Sequence, residues 1–192
     1  MAPAQVAAAL AGGPARADAP GVSSVELDFR AVYEQHFDFV WRSLRRLGVS
    51  QVAIDDVMQE VFIVVVRRLA DYDGRASVRS WLFGIAYRAF LGHVRRERRK
   101  GGHLPLPQVL PCPEPGPFDQ LRRAEAVRFV EAFLATLDAD KRAVFILAEL
   151  EQMTAPEISV ALGVKLNTVY SRLRAGRAAF QQAVAVEQRG EP

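Results

Sequence analysis

Apolar residues recur at three- and four-residue steps in the first half of the chain and predict three amphipathic helices. The periodic stretches span residues 29–44, 54–69 and 78–91. Apolar positions with this spacing lie on one face of an α-helix, where they can pack against a core. Gly48 is placed to end the first helix, and the pair Asp73-Gly74 is typical of a turn before the third.

A proline-rich segment separates this unit from a second set of periodic helices. Residues 101–118 contain six prolines, and proline lacks the amide hydrogen that a helix interior needs. Beyond it, apolar positions from Val127 to Leu137 predict another helix, and Asp138 or Asp140 can cap the next one. We therefore expect an all-α fold of two small helical domains joined by a Pro-rich linker: a disordered tail (1–25), a first domain (26–100), a flexible linker (101–118), a second domain (119–186) and a tail (187–192).

The second domain contains a predicted helix-turn-helix at 154–175. Thr154 and Glu157 have the spacing of a capping box, Pro156 falls in the first turn, and Gly163 can end the short helix. Polar and basic side chains then cover the outer face of the next helix, and such groups pair with base edges and phosphates in the major groove. A solvated helical hairpin is the plainer alternative. The DNA-binding candidates on this recognition helix are Lys165, Asn167, Thr168, Ser171, Arg172 and Arg174.

The third helix of the first domain becomes basic toward its end and carries aromatic residues. Cations with aromatic rings suit a single-stranded nucleic acid, because cations follow its phosphates and rings stack on its bases. Basic residues also occur at solvated helix ends, where they favour the helix dipole, so this run taken alone fits either interpretation. The candidates for binding DNA here are Arg75, Arg79, Trp81, Tyr87, Arg88, Arg95, Arg96 and Arg99.

The second helix has an acidic outer face beside an exposed apolar position. Either it is a solvated face, or it is a docking surface for a basic protein partner. The residues concerned are Asp55, Asp56, Gln59, Glu60 and Ile63.

Composition excludes several classes of function. Half of the residues are hydrophobic, the formal net charge is +3 and the sequence pI is about 9.3, which hints mildly at an anionic partner. The single cysteine, Cys112, leaves no internal disulfide and fits a reducing compartment. The sequence has no phosphate-binding glycine motif, no HExxH and no CxxC pair. We therefore expect a cytoplasmic protein with no membrane insertion, no enzyme activity, no cofactor and no metal.

Three motifs in order resemble the extracytoplasmic-function (ECF) family of RNA polymerase sigma factors. Residues 55–62, DDVMQEVF, resemble the "D-x-x-Q-E-x-F" signature of region two, and 80–86, SWLFGIA, resemble its "T-W-L-x-x-I-A" segment. Residues 149–158, with the LGV and TVYSRLRA segments that follow, resemble region four. The first domain would then be a sigma region 2 helical bundle, and the second a sigma region 4 helix-turn-helix.

The resemblance implies a role for each surface. The acidic face would bind the clamp helices of core RNA polymerase. The basic third helix would capture and melt the downstream promoter element, and the recognition helix would read the upstream element in duplex DNA. The linker would thread toward the RNA exit path, and an anti-sigma factor would hold the protein inactive. Arg88 departs from the asparagine that many members have there; arginine can stack on a base or grip phosphate but would not give the same amide pairing.

Two other classes of protein would share some of these features. A free-standing helix-turn-helix transcriptional regulator would explain the recognition helix but not the acidic face or the Trp81 segment. A helical adaptor would explain the packing faces and would bind no DNA.

Overall fold

The computed structural model describes residues 28–100 and 117–190, and within them the regular secondary structure is helical. The predicted tail at 1–25 and nearly all of the predicted linker at 101–118 lie outside these residues. The helices are α1 (Phe29–Leu47), α2 (Ile54–Arg68), α3 (Val78–Arg99), α4 (Pro117–Thr136), α5 (Ala139–Phe145), α6 (Ala155–Leu162) and α7 (Leu166–Gly190).

Helices α1, α2 and α3 form the first domain and pack their periodic apolar faces together. Leu44, Val61 and Phe83 come from the three helices and are completely buried at its centre. Gly48 ends α1 as expected, with a φ of 110° and its amide donating to the carbonyls of Leu44 and Arg45. Glycine suits this position because side chains disfavour positive φ. A single turn of 3-10 helix continues α2 as far as Asp71.

Helices α4 to α7 form the second domain around a cluster of phenylalanines. The rings of Phe133, Phe145 and Phe180 lie 5.0–5.6 Å apart, in edge-on or tilted contacts that aromatic pairs favour. Of the two candidate caps, Asp138 is the one used: its side chain accepts from the amide of Lys141 at 2.8 Å. One turn of π-helix, Ile146–Leu150, follows α5.

Two helices extend past the predicted domain boundaries. Helix α4 begins at Pro117, so the last two positions of the predicted linker are helical; proline at the first position of a helix costs no hydrogen bond. Helix α7 continues to Gly190, so most of the predicted tail at 187–192 belongs to it. Alanine, glutamine, glutamate and arginine dominate this stretch, and their helix propensity sustains a helix past its last core contact.

The two domains pack directly on each other. Helix α3 of the first domain lies against α6 of the second, and the buried apolar residues of both form one continuous cluster. Gly84 permits this close approach, since a Cβ at that position would lie 2.5 Å from the backbone oxygen of Ala161. The sequence did not predict this contact.

Candidate nucleic-acid interface and partner-binding surfaces

The acidic face of α2 points into solvent. Asp55, Asp56 and Gln59 are exposed, and Ile63 keeps 43% of its surface accessible. Val66, which was not among the residues predicted from the sequence, is 55% exposed. It lies one helical turn after Ile63, so the spacing could have identified it as part of the same stripe. The face therefore combines carboxylates at the start of the helix with an apolar strip near its end.

Glu60 is the member of this set that already has a partner. Its carboxylate accepts from Arg96 of α3 at 2.7 and 2.9 Å, and both side chains are about half exposed. The pair joins the acidic surface of α2 to the basic end of α3. An exposed pair of this kind contributes little to stability, so either member can be released to another partner.

The basic candidates of α3 fall into an exposed group and an engaged group. Arg88, Arg95 and Arg99 of α3 are exposed, and so is Arg75, which precedes the helix and pairs with Asp73 at 3.2 Å. Ser77 caps the start of the helix, and its side chain accepts from the Ser80 amide. The cap fixes the first residue of the helix and so the positions of its arginines around the helix axis.

Trp81 and Arg79 are held by neighbouring groups. The indole of Trp81 is partly buried, with its centroid 5.2 Å from that of the Tyr72 ring. The guanidinium of Arg79 lies 4.5 Å above the Phe39 ring and donates to Glu151 of the second domain at 2.5 Å. The second aromatic candidate on α3 is less accessible still.

Tyr87 is buried, with 6% of its surface accessible, so it offers no stacking surface in this structure. Its hydroxyl donates to Asp140 Oδ1 at 2.6 Å. Burial, aided by the hydrogen bond with Asp140, raises the pKa of this hydroxyl above its ordinary value. The expectation that Tyr87 forms an open surface on α3 is therefore not met here.

The helix-turn-helix has the predicted geometry. Glu157 accepts from the amide and the hydroxyl of Thr154 at 2.8 and 2.7 Å. Gly163 adopts a φ of 68° at the turn, and the Ser159 hydroxyl donates to the Val164 carbonyl at 2.6 Å. These bonds set the angle at which α7 leaves the turn.

Most of the recognition-helix candidates share an accessible face. Lys165, Asn167, Ser171 and Arg174 are exposed and Thr168 is partly so. Tyr170, which the sequence analysis did not select, is 53% exposed beside them. This face offers an amide, hydroxyls and cations within two turns of the start of α7, the part of a recognition helix that reaches the groove first.

Arg172 differs from the other candidates because it faces inward. Its guanidinium donates to Asp140 Oδ2, and only 24% of its side chain is accessible. Asp140 therefore binds Arg172 from α7 and Tyr87 from α3 at once. The prediction that Arg172 lies on the outer face is wrong for this conformation, because its position on the helix points it at α5.

No metal or membrane site emerges in the described part of the chain. Residues 28–100 and 117–190 contain no group of three or more side chains that could hold a metal ion. None of their helices is both long and apolar enough to cross a membrane.

Two solved structures resemble this fold. One is CnrH in complex with the cytosolic domain of CnrY, with a TM-score of 0.57, 22% identity and 98% of each chain covered. The other is the sigma factor RpoE in complex with the anti-sigma factor NepR from Bartonella quintana, with a TM-score of 0.63 and 20% identity over 80% of this chain and 97% of that one.

Family and sequence comparisons identify the chain. The family model of Sigma-70 region 2 matches residues 32–100 and that of Sigma-70, region 4 matches 130–180, together more than half of the chain. The ECF RNA polymerase sigma factor SigE of Mycolicibacterium smegmatis is 32% identical over 171 residues, which are 88% of this chain and 66% of SigE. The sigma factor CnrH of Cupriavidus metallidurans is 28% identical over 83% of this chain and 88% of its own. Because both Sigma-70 regions match in order and an ECF sigma factor is 32% identical over 88% of this chain, the chain belongs to the ECF family of RNA polymerase sigma factors, the alternative sigma factors of transcription initiation.

Proposed function

We propose that this chain binds core RNA polymerase and directs it to promoters that it recognises with both domains. The observation that carries the proposal is the pairing of two accessible surfaces in one chain: the acidic and apolar face of α2, and the polar face at the start of α7. A free-standing regulator would need only the second of these. The protein would act in the cytoplasm and would catalyse no reaction itself.

The face of α2 is the proposed docking site for polymerase. Asp55 and Asp56 lie in the first turn of the helix, and neither forms an ion pair with any described residue. Ile63 and Val66 add an apolar strip beside them. Carboxylates around an apolar patch suit a basic partner, because complementary charge steers association while apolar burial supplies affinity.

The exposed arginines of α3 are proposed to hold the melted strand of the downstream element. Separating a base pair costs a few kcal/mol, which captured bases and phosphates must offset. Arg88, Arg95 and Arg99 provide cations along the helix, and Trp81 lies on the same element. Arg88 can grip phosphate or stack on a base, unlike an amide side chain.

The start of α7 is proposed to read the upstream element as duplex DNA. Asn167 and Arg174 have the chemistry for adenine and guanine edges, and Lys165 at the turn can meet a phosphate. When two weak DNA-binding domains are joined in one chain, binding of one raises the effective concentration of the other at its own element. Promoter recognition by two domains therefore needs only modest affinity in each.

An anti-sigma factor is a further proposed partner. CnrH was solved with the cytosolic domain of CnrY, and RpoE with the anti-sigma factor NepR. Family membership and the shared fold support a regulator of the same kind for this chain.

Run-off transcription on genomic DNA fragments tests the proposal directly. Purified core polymerase is assayed with and without this protein. Discrete new start sites that need the protein would support it, and their upstream sequences would define both promoter elements. Absence of new starts, together with absence of binding to core enzyme, would favour the free-standing regulator.

The variant Asp56→Arg tests the docking surface. We expect it to weaken binding to core polymerase by at least about tenfold, because placing like charges together across an interface costs several kcal/mol. Circular dichroism should show unchanged helix content, since Asp56 is exposed. Glu187→Arg is the matched control, because it makes the same charge change at an exposed position of α7. Equal binding by both variants would remove the α2 face from the polymerase contact.

A further inference from the structure

Helix α7 packs on α5 through a narrow stripe of small and apolar residues. Val169, Leu173 and Phe180 are buried along this stripe. Gly176 lies among them, and a Cβ at that position would meet Phe145 Cδ2 at 3.1 Å. The four positions of α7 recur at steps of three or four residues, so they share one side of the helix. Apolar contacts are non-directional, and a narrow stripe therefore determines the rotation of α7 about its own axis only weakly.

Two ion pairs flank the stripe. Arg172 donates to Asp140 in the first turn of α5, and Arg177 Nε donates at 2.7 Å to Glu149 Oε1 in the π-helical turn that follows α5. At about 100° per residue, Arg172 lies about 70° to one side of the centre of the stripe and Arg177 about 70° to the other. Their partners lie near the two ends of the segment on which α7 packs. Directional bonds on opposite sides of the stripe resist rotation of α7 both ways.

The polar side chains at the start of α7 lie across the helix from the stripe. By the same spacing, Asn167, Ser171 and Arg174 fall within about 50° of the side opposite its centre. A helix with its side chains has a radius of about 5–6 Å, so a rotation of about 20° moves these groups by about 2 Å. Hydrogen bonds to base edges need donor–acceptor distances of about 2.7–3.2 Å, and such a rotation therefore breaks them.

We propose that Arg172 and Arg177 are positioning residues, which set the rotation of α7 and so decide which of its side chains meet the bases of the upstream element. This assignment rests on the proposed function, since it takes the start of α7 as the part that reads duplex DNA. Arg172 then contacts no base itself: its side chain is 24% accessible and is bound to Asp140, whereas Arg174 is exposed.

The expected effect of losing either pair is the same on every template. Without the pair, α7 adopts rotations that do not match the base edges. When about a tenth of the protein keeps the matching rotation, the apparent dissociation constant for the upstream element rises about tenfold, whatever its sequence. Loss of a base-reading arginine acts differently, because it weakens only the templates that carry the base it contacts. The pattern over templates therefore separates positioning from base reading.

Run-off transcription with core polymerase on a set of templates tests the assignment. The templates differ by single bases at each position of the upstream element that the wild-type protein uses. Arg172→Met removes the cation but keeps apolar packing, and we expect about tenfold less transcript from every template. Arg172→Lys should recover most of this loss, since a point charge can still pair with Asp140. Arg189→Met is the matched control, because it removes an exposed cation in the last turn of the same helix.

Asp140→Asn separates the two roles by the sign of its effect. Asparagine keeps an oxygen for the Tyr87 hydroxyl but offers Arg172 only a neutral and weaker acceptor. A positioning role predicts less transcript, as for Arg172→Met. A base-reading role predicts more transcript, because the carboxylate no longer competes for the guanidinium. Glu149→Gln should act in the same direction through the second ion pair, and Glu187→Gln controls for the loss of one exposed carboxylate.

A similar loss over all templates in Arg172→Met and Asp140→Asn would support the assignment. A loss confined to one base, a gain with Asp140→Asn, or no change in either variant would overturn it. Urea unfolding should stay close to that of the wild type, because partly exposed ion pairs contribute little to stability. A loss of stability large enough to unfold the variants under the assay conditions would place the pairs in folding instead of positioning.

Amide hydrogen exchange of the free protein needs neither polymerase nor promoter, so it separates this assignment from the proposed function. For Arg172→Met combined with Arg177→Met, we expect faster exchange in α7 and unchanged exchange in α2 of the first domain. Unchanged exchange in α7 would refute the positioning role even if the wild type initiated no transcription. New starts with the wild type, and equal use of every template by the double variant, would refute it as well and leave the sigma function standing.

Discussion

Replacing Arg142 with methionine removes a cation that three backbone carbonyls share. One guanidinium nitrogen donates to the Leu47 oxygen at 2.6 Å, and the other donates to the oxygens of Ala135 and Leu137 at 3.1 and 2.9 Å. These carbonyls lie at the C-terminal ends of α1 and α4, where the helix dipole favours a positive charge. Arg142 therefore satisfies two helix ends and ties the two domains together.

The free energy at stake is smaller than the sum of the three bonds. A hydrogen bond to a charged group contributes about 1.5–3 kcal/mol, and bonds from one group are not additive. Desolvation opposes them: burial lowers the pKa of the Arg142 guanidinium, and its Nε is buried with no hydrogen-bond partner among the described residues. Methionine retains much of the apolar packing. We expect a net loss of about 3 kcal/mol in the free energy of unfolding.

Urea unfolding followed by circular dichroism measures this loss. Lys141→Met is the matched control, since the adjacent residue has the same charge and makes a half-exposed ion pair with Asp138. Exposed pairs contribute little, so the control should change stability by less than about 1 kcal/mol. Equal losses in the two variants would mean that desolvation cancels the three carbonyl bonds, and the reasoning would be refuted.

Three further predictions concern the cap, the core and the recognition helix. Asp138→Ala should cost about 1 kcal/mol at neutral pH. Because the side chain of Lys141 lowers the pKa of Asp138 below its ordinary 3.8, this loss should shrink as the pH falls through that range, and thermal unfolding at pH 7 and at about pH 2 checks both the size and the sign. Phe83→Ala should cost about 3–5 kcal/mol in urea unfolding, since the ring is fully buried; a loss below about 1 kcal/mol would mean that the site collapses around the cavity. Asn167→Ala should weaken use of the upstream element by about 1–3 kcal/mol in run-off transcription, and unchanged promoter selectivity would remove it from base recognition.

Helix positions and their caps were predictable because their causes are local. Apolar spacing located α1 to α3, and Gly48 and Gly163 ended their helices through a positive φ. The capping role of Glu157 depends on a residue three positions away. The start of α4 and the end of α7 were missed because composition indicates a helix boundary only weakly where no cap residue marks it.

Some residues of the candidate surfaces were predicted correctly and others were not, because exposure depends partly on local helix position and partly on contacts distant in sequence. Asp55, Asn167 and Arg174 are exposed, as their positions on amphipathic helices required. Tyr170 was missed because a single exposed apolar residue has no distinct pattern in sequence, whereas the spacing of Val66 to Ile63 was a usable signal. Tyr87 and Arg172 were placed on open faces, but each is engaged by a carboxylate distant in sequence.

By itself the sequence determined the helices, the helix-turn-helix and the order of its family motifs, because hydrogen bonds between residues four apart and caps three apart are encoded within short stretches. Only the tertiary structure decided which charged side chains are accessible to a partner and which are paired within the protein. Arg79 and Glu151 are 72 residues apart, and Tyr87 and Asp140 are 53 apart. Whether such groups meet depends on how two preformed helical units pack, which periodicity within either unit leaves undetermined.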